Sequence, residues 1–187
     1  MSIIDNTQEH STRIFLVEDH ASFRQALAFM FERQGEFAVV GQAGSLAEAH
    51  AFLRRSPDDF DIAVVDLALP DGDGFGLIAE LSSRPAVMTL VLSASLEPAR
   101  FARAVEAGAS GVLHKSAPIN EIVDAVRRLR SGEALLTPAE TVEMLRMVSR
   151  RRQEEYEARR AIEKLTPREK QVLAALGEGL DSRDIAE

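Results

Sequence analysis

Two adjacent acids, Glu18 and Asp19, a third at Asp66, a hydroxyl at Ser93 and an amine at Lys115 share one feature: each follows a short apolar run. Ile14-Phe15-Leu16-Val17 precedes the acidic pair, Ile62-Ala63-Val64-Val65 precedes Asp66, Val87 to Leu92 precede Ser93, and Gly111-Val112-Leu113 precedes His114-Lys115. Runs that are apolar at consecutive positions suit strands covered on both faces of a parallel sheet, and in such sheets ligands bind beyond the carboxyl ends of the strands. Gathered at one rim, three carboxylates would repel one another and raise each other's pKa unless a cation compensates. A hard divalent ion meets that need: Mg²⁺ takes oxygen ligands in an octahedron at about 2.0–2.1 Å and keeps room for waters and a phosphate oxygen. Asp66 could then attack phosphorus as a nucleophile while the metal neutralises charge developing on the phosphoryl oxygens. Lys115 would add a fixed positive charge, and the Ser93 hydroxyl a hydrogen bond to a phosphoryl oxygen.

Each residue alone has a plainer explanation. A strand-end Asp commonly forms a turn or caps a helix, Ser93 could be a cap, and Lys115 a solvated rim cation. Asp71-Gly72-Asp73-Gly74 reads as a good turn without a chemical role, and His114 as a flanking residue. The conjunction of acidic pair, Asp, hydroxyl and Lys on successive strand ends, in that order, favours chemistry.

The elements that must position these groups follow from the pattern. Strands are expected over 14–17, 37–40, 62–65, 87–92 and 111–113, and crossover helices over 21–34, 46–55, 74–82, 98–107 and 118–130. Gly108 and Gly132 stand where left-handed C-caps are expected, and Pro98 and Pro118 fit first-turn positions. Ile119, Ile122, Val123, Val126 and Leu129 form one apolar stripe, which should lie on the sheet. The fold class is therefore α/β, a doubly wound five-stranded parallel sheet. Beyond Leu136, Thr137-Pro138 reads as N-cap and N1 of a long linker helix to about Glu163. Its seam, Val142, Leu145, Val148, Arg152, Tyr156, Arg159 and Ile162, is broken by arginines, so a coiled coil is the weaker expectation and a solvated helix with pairs such as Arg150/Glu154 and Arg151/Glu155 the stronger. Thr166, Pro167 and Glu169 then form a capping box before another apolar helix.

The chain has 187 residues, enough for one full domain and a smaller appendage, and its 45% hydrophobic and 28% charged residues are those of an ordinary globular protein. Absence of cysteine excludes thiolate and disulfide chemistry, and a cytoplasmic setting is expected. Residues 1–13 are polar, and no apolar run approaches membrane-spanning length. Of the net charge of −8, residues 1–136 carry −7 and residues 137–187 carry −1, so any contact with nucleic acid should come from the carboxyl-terminal part.

The segments Ile14 to His20, Val64 to Gly74, Leu92-Ser93-Ala94 and Gly108 to Lys115 resemble the receiver domains of bacterial two-component response regulators. Leu165-Thr166-Pro167-Arg168-Glu169 through Ile185-Ala186 is similar to the opening of a LuxR-type helix-turn-helix, which points to the NarL/FixJ group. The resemblance implies a flavodoxin-like receiver with Asp66 as phosphoacceptor. Asp19 and Asp66 would be direct Mg²⁺ ligands, Glu18 the more distant acid, and the carbonyl of Ala68 the third protein ligand. Ser93 and Lys115 would sense the phosphoryl group. It also implies a partner histidine kinase, control of transcription and a homodimer. The expected organisation is a disordered tail over 1–11, a receiver over 12–134, a helical linker over 135–163, and over 164–187 the first part of an all-α helix-turn-helix.

Two departures qualify the resemblance. Many relatives carry Tyr or Phe where this chain has Val112, so an aromatic rotamer switch cannot operate there. The sequence also stops at Glu187 before the recognition helix that would enter the major groove, so this chain is expected not to read DNA bases although the intact protein would. The alternative function is a receiver acting only through protein contact, as phosphate sink or dimerisation partner. An aspartyl-nucleophile phosphatase is disfavoured, because such enzymes want an acid two residues after the nucleophile, where Ala68 stands. The chain is expected to be no enzyme beyond gaining and slowly losing its own phosphoryl group.

Overall fold

In this computed structural model residues 11–169 are described, apart from 57, 58, 96, 137 and 167. The expected tail, except Ser11, and the helix-turn-helix beyond Glu169 lie outside the described residues. Contacts divide the chain into residues 1–145 and 146–187.

Five strands, β1 (Thr12–Val17), β2 (Phe37–Ala43), β3 (Ile62–Asp66), β6 (Met88–Ser93) and β7 (Gly111–His114), form one sheet in the order β2-β1-β3-β6-β7. Every pairing in it is parallel. A two-stranded ribbon, β4 (Ala68–Leu69) with β5 (Gly72–Asp73), stands apart from it. The connecting helices are α1 (Ala21–Arg33), α2 (Leu46–Arg55), α3 (Phe75–Ser82), α4 (Pro98–Glu106) and α5 (Ile119–Arg130).

Strand side chains alternate between two faces, and both faces are buried here. Ile14 and Leu16 join Leu27, Phe31, Ile122 and Val126 beneath α1 and α5. Phe15 and Val17 join Ile78, Leu81 and Ala104 on the side of α2, α3 and α4. The expected stripe of α5 is thereby confirmed: Ile122, Val123, Val126 and Leu129 are buried, and Ile119 packs against them.

Some ends differ from expectation. β2 continues through Gly41, Gln42 and Ala43, which break the apolar run but pair with Phe15, Leu16 and Val17 after a register shift at Ile14/Phe15. Pro118 is the N-cap of α5 rather than a first-turn residue, while Pro98 does open α4. Gly108 and Gly132 have φ of 101° and 76° directly after helix ends, the left-handed backbone expected of C-caps.

After α5, α6 (Pro138–Glu163) begins at the expected proline. Val142, Tyr156 and Ile162 of its seam are exposed. At its far end the capping box is present: the Thr166 hydroxyl accepts the Glu169 N–H at 3.3 Å and the Glu169 carboxylate accepts the Thr166 N–H at 2.7 Å.

Candidate functional site

A parallel sheet delivers the carboxyl ends of its strands to one edge, so residues at or just beyond the ends of β1, β3, β6 and β7 come together there. At that edge Glu18, Asp19, His20, Phe23, Asp66, Ala68, Ala94 and Lys115 line a pocket of about 370 Å³. Lys115 pairs with the acids of this pocket. Its Nζ lies 2.5 Å from Asp66 Oδ2, 2.9 Å from Glu18 and 3.9 Å from Asp19 Oδ1. The Asp66 and Glu18 side chains are only 1% and 3% exposed. Two buried carboxylates are tolerable because one ammonium serves both. Burial pushes the Lys115 pKa down, but hydrogen bonds and charge attraction from Asp66 and Glu18 outweigh it and hold the amine above its ordinary value.

Local backbone geometry fixes each acid. Asp66 Oδ1 accepts the Ala68 N–H at 3.0 Å. The loop after Asp66 passes so close that a Cβ on Gly74 would stand 2.7 Å from the Asp66 carbonyl oxygen, so glycine is required there. Glu18 Oε1 accepts the His20 N–H at 3.0 Å, and the Arg24 guanidinium donates to the Glu18 carbonyl. For Asp19, burial pushes the pKa up, but hydrogen bonding with Glu18 and the charges of His20 and Lys115 prevail and hold it below the ordinary range.

Glu18 Oε2 and Asp19 Oδ1 take no aligned hydrogen bond and rest on ion pairs, Oε2 2.9 Å from Lys115 Nζ and Oδ1 2.7 Å from His20 Nδ1. Buried acceptors of this kind are costly unless something binds them, and hard oxygen donors on a negative rim suit a divalent cation such as Mg²⁺.

The sequence expectations are met unevenly. Glu18, Asp19, Asp66, Ala68 and Lys115 meet in the pocket. Ser93 is 3% exposed at the end of β6, and its hydroxyl is engaged locally, donating to the Ser95 carbonyl at 2.6 Å and accepting the Ser95 N–H at 3.2 Å. His114 flanks the site as expected: Nε2 donates to the Ala94 carbonyl at 3.0 Å, which leaves Nδ1 to accept the Ser116 N–H at 3.1 Å. Two residues had no assigned part in the sequence. His20 turns its ring toward the acids, with Nδ1 2.7 Å from Asp19 Oδ1 and 3.1 Å from Glu18 Oε1. Asp71, given no chemical role, accepts the N–H groups of Leu46 and Ala47 at 2.8 and 2.9 Å and so caps α2 from a distance in sequence.

Residues 14–127 match the family model of the response regulator receiver domain. The chain belongs to that family. The chain is 33% identical over 176 residues to the DNA-binding transcriptional activator DevR/DosR of Mycobacterium tuberculosis, a match spanning 94% of this chain and 78% of that one. It is 34% identical over 180 residues to the transcriptional regulatory protein LnrK of Bacillus subtilis, spanning 94% and 81%. Among solved structures it resembles a two-component response regulator of the LuxR family from Aurantimonas sp. SI85-9A1, with 29% identity, a TM-score of 0.61, and coverage of 76% of this chain and 98% of that one. These relatives place the chain among NarL/LuxR-type response regulators. Among the described residues no helix is long and apolar enough to cross a membrane.

Proposed function

We propose that the receiver accepts a phosphoryl group on Asp66 from a partner histidine kinase and thereby controls transcription through a carboxyl-terminal DNA-binding domain. The observation that carries this is the placement of Asp66, buried at the end of β3 with one oxygen held by a backbone N–H and the other 2.5 Å from Lys115. Held this way, the carboxylate has few orientations to lose before reaction. An Asp66 oxygen attacks phosphorus; the new P–O bond forms as the bond to the donor imidazole nitrogen breaks, and the leaving nitrogen keeps the electron pair.

The metal site is Asp19, Asp66 and the Ala68 carbonyl, with Glu18 more distant. Bound there, Mg²⁺ supplies the positive charge that offsets the phosphoryl oxygens in the transition state. The acyl phosphate removes the charge of the Asp66 carboxylate and places roughly −1.5 to −2 on the phosphoryl group. Lys115 then exchanges its Asp66 oxygen for a phosphoryl oxygen, and Ser93 exchanges the Ser95 carbonyl for another. With Val112 in place of an aromatic side chain, these two exchanges carry the signal.

The proposed organisation is a receiver over 12–134, a linker over 135–163 and the start of a LuxR-type domain over 164–187, working in the cytoplasm as a homodimer. Relatedness to an activator named as DNA-binding supports a DNA partner for the intact protein. The phosphoryl group is lost slowly by hydrolysis, and no other reaction is catalysed. Acetyl phosphate with Mg²⁺ should add one acid-labile phosphoryl group, seen as an intact-mass increase, and Asp66→Ala should abolish it. Equal labelling of that variant would sink the assignment.

A further inference from the structure

The peptide unit between Ala94 and Ser95 is gripped at both ends, and only one grip belongs to the proposed chemistry. Its N–H donates to the Ser93 hydroxyl at 3.2 Å, and that hydroxyl donates to the Ser95 carbonyl at 2.6 Å. Its C=O accepts the Nε2–H of His114 at 3.0 Å. The register of β6 and β7 sets Ser93 opposite His114, and Ala94 itself lines the pocket. The imidazole is held in turn: the Ser116 N–H donates to Nδ1 at 3.1 Å, and the Ser116 hydroxyl stands 2.5 Å from the same atom. Nδ1 therefore carries no hydrogen, and the one ring hydrogen sits on Nε2, aimed at Ala94. In a planar trans peptide the C=O and N–H point in opposite directions and turn together, so releasing the Ser93 end also strains the His114 end.

We infer that His114 is a positioning residue for Ser93: by holding the Ala94 carbonyl it keeps the Ala94–Ser95 peptide, and with it the Ser93 hydroxyl, in the arrangement bonded to Ser95. The inference rests on the proposed phosphoryl chemistry and deepens it, since Ser93 must give up Ser95 before it can donate to a phosphoryl oxygen. A side chain that bonds only the unreacted arrangement opposes that exchange by roughly what its bond contributes, on the order of a fivefold change in rate for one neutral hydrogen bond. His114 is not among the residues that line the pocket, so its effect passes through Ser93 and not through contact with the phosphoryl donor. Placed one residue before Lys115, it links the loop after β6 to the strand that carries the amine.

The test is the rate at which acetyl phosphate with Mg²⁺ labels the whole chain, read by intact mass over a range of donor concentrations. His114→Leu, which removes the ring hydrogen, should raise the maximal rate about fivefold and leave the half-saturating donor concentration unchanged. His114→Gln, whose amide N–H can reach the same carbonyl, should stay within about twofold of the parent. In a Ser93→Ala background, His114→Leu should change nothing. A His114→Leu rate no higher than the parent's, a Gln variant that matches Leu, or the same gain without the Ser93 hydroxyl would overturn the positioning role while leaving the phosphoacceptor in place. Should His114→Leu fail to fold, the parent decides: its imidazole ¹⁵N resonances should show the hydrogen on Nε2 and should shift when beryllofluoride and Mg²⁺ are added. A hydrogen on Nδ1, or resonances that beryllofluoride leaves unmoved, would equally overturn it. Labelling that persists in Asp66→Ala would instead remove the phosphoacceptor reading, and this inference with it.

Discussion

Replacing Lys115 by Met keeps the apolar stem and removes the charge that Asp66 and Glu18 share. Removing one partner of a buried ion pair costs about 3–5 kcal/mol because the other charge is left unpaired. Here two acids are affected, at 2.5 and 2.9 Å, but the lysine side chain is 16% exposed and its neighbours face an open pocket, so water recovers part of the loss. The expected destabilisation at pH 7 without divalent metal is therefore about 2–3 kcal/mol. Urea unfolding, with a slope of about 1–3 kcal/mol per molar, should show the midpoint drop by roughly 1 M. A cation at a hundredfold its dissociation constant stabilises the folded state by about 2.7 kcal/mol. Added Mg²⁺ should stabilise Lys115→Met more than the parent, since its acids have lost their resident cation. A loss below about 0.5 kcal/mol, or the same Mg²⁺ gain in both proteins, would refute the view that Lys115 is the counter-charge of the pocket.

Thr89 is 1% exposed and its hydroxyl oxygen is buried without a hydrogen-bond partner, so Thr89→Val should stabilise by about 1 kcal/mol and raise the thermal midpoint by about 2–4 °C; a lower midpoint would contradict this. A Cβ on Gly111 would lie 2.2 Å from Cδ1 of the half-buried Leu135, whose side chain can turn aside, so Gly111→Ala should cost under about 1 kcal/mol, most of it recovered when Leu135→Ala is added. An additive double-mutant cycle would show that the two positions do not clash. For Asp61, burial pushes the pKa up, but the hydrogen bonds and charge of Arg13 prevail and hold it below the ordinary carboxylate value. A depressed folded pKa gives stability that is present above the ordinary value near 3.8 and lost as pH falls through the folded one. Asp61→Ala should therefore lose under about 1 kcal/mol at neutral pH, the pair being well exposed, and the gap to the parent should close on acidification; a gap that persists in acid would argue against the ion pair.

The sheet was legible because buried parallel strands leave uninterrupted apolar runs, as in Ile62-Ala63-Val64-Val65, and the polar residue that ends each run marks the rim. Gathering Glu18, Asp66 and Lys115 required only that all strands point the same way. The tail of β2 was hidden because Gly41 and Gln42 are not apolar, and a register shift, not a hydrophobic pattern, keeps them paired. Asp71 looked like a turn residue because its partners, the N–H groups at the start of α2, lie 24 and 25 residues earlier. His20 and Ser93 were visible as residue types, but the direction of a ring and the local bond of a hydroxyl are set by side-chain torsions that spacing does not encode. The capping box of Thr166 and Glu169 was legible, since donor and acceptor are three residues apart.

An acyl phosphate is reduced by borohydride to the alcohol, so a phosphorylated aspartate becomes homoserine and stays marked through proteolysis. Treating the chain with acetyl phosphate and Mg²⁺, reducing it and sequencing its peptides by mass spectrometry should place homoserine at Asp66 and nowhere else, with none when the metal is chelated. Homoserine at another acid, or the same yield without divalent metal, would contradict a metal-assisted phosphoacceptor at the end of β3.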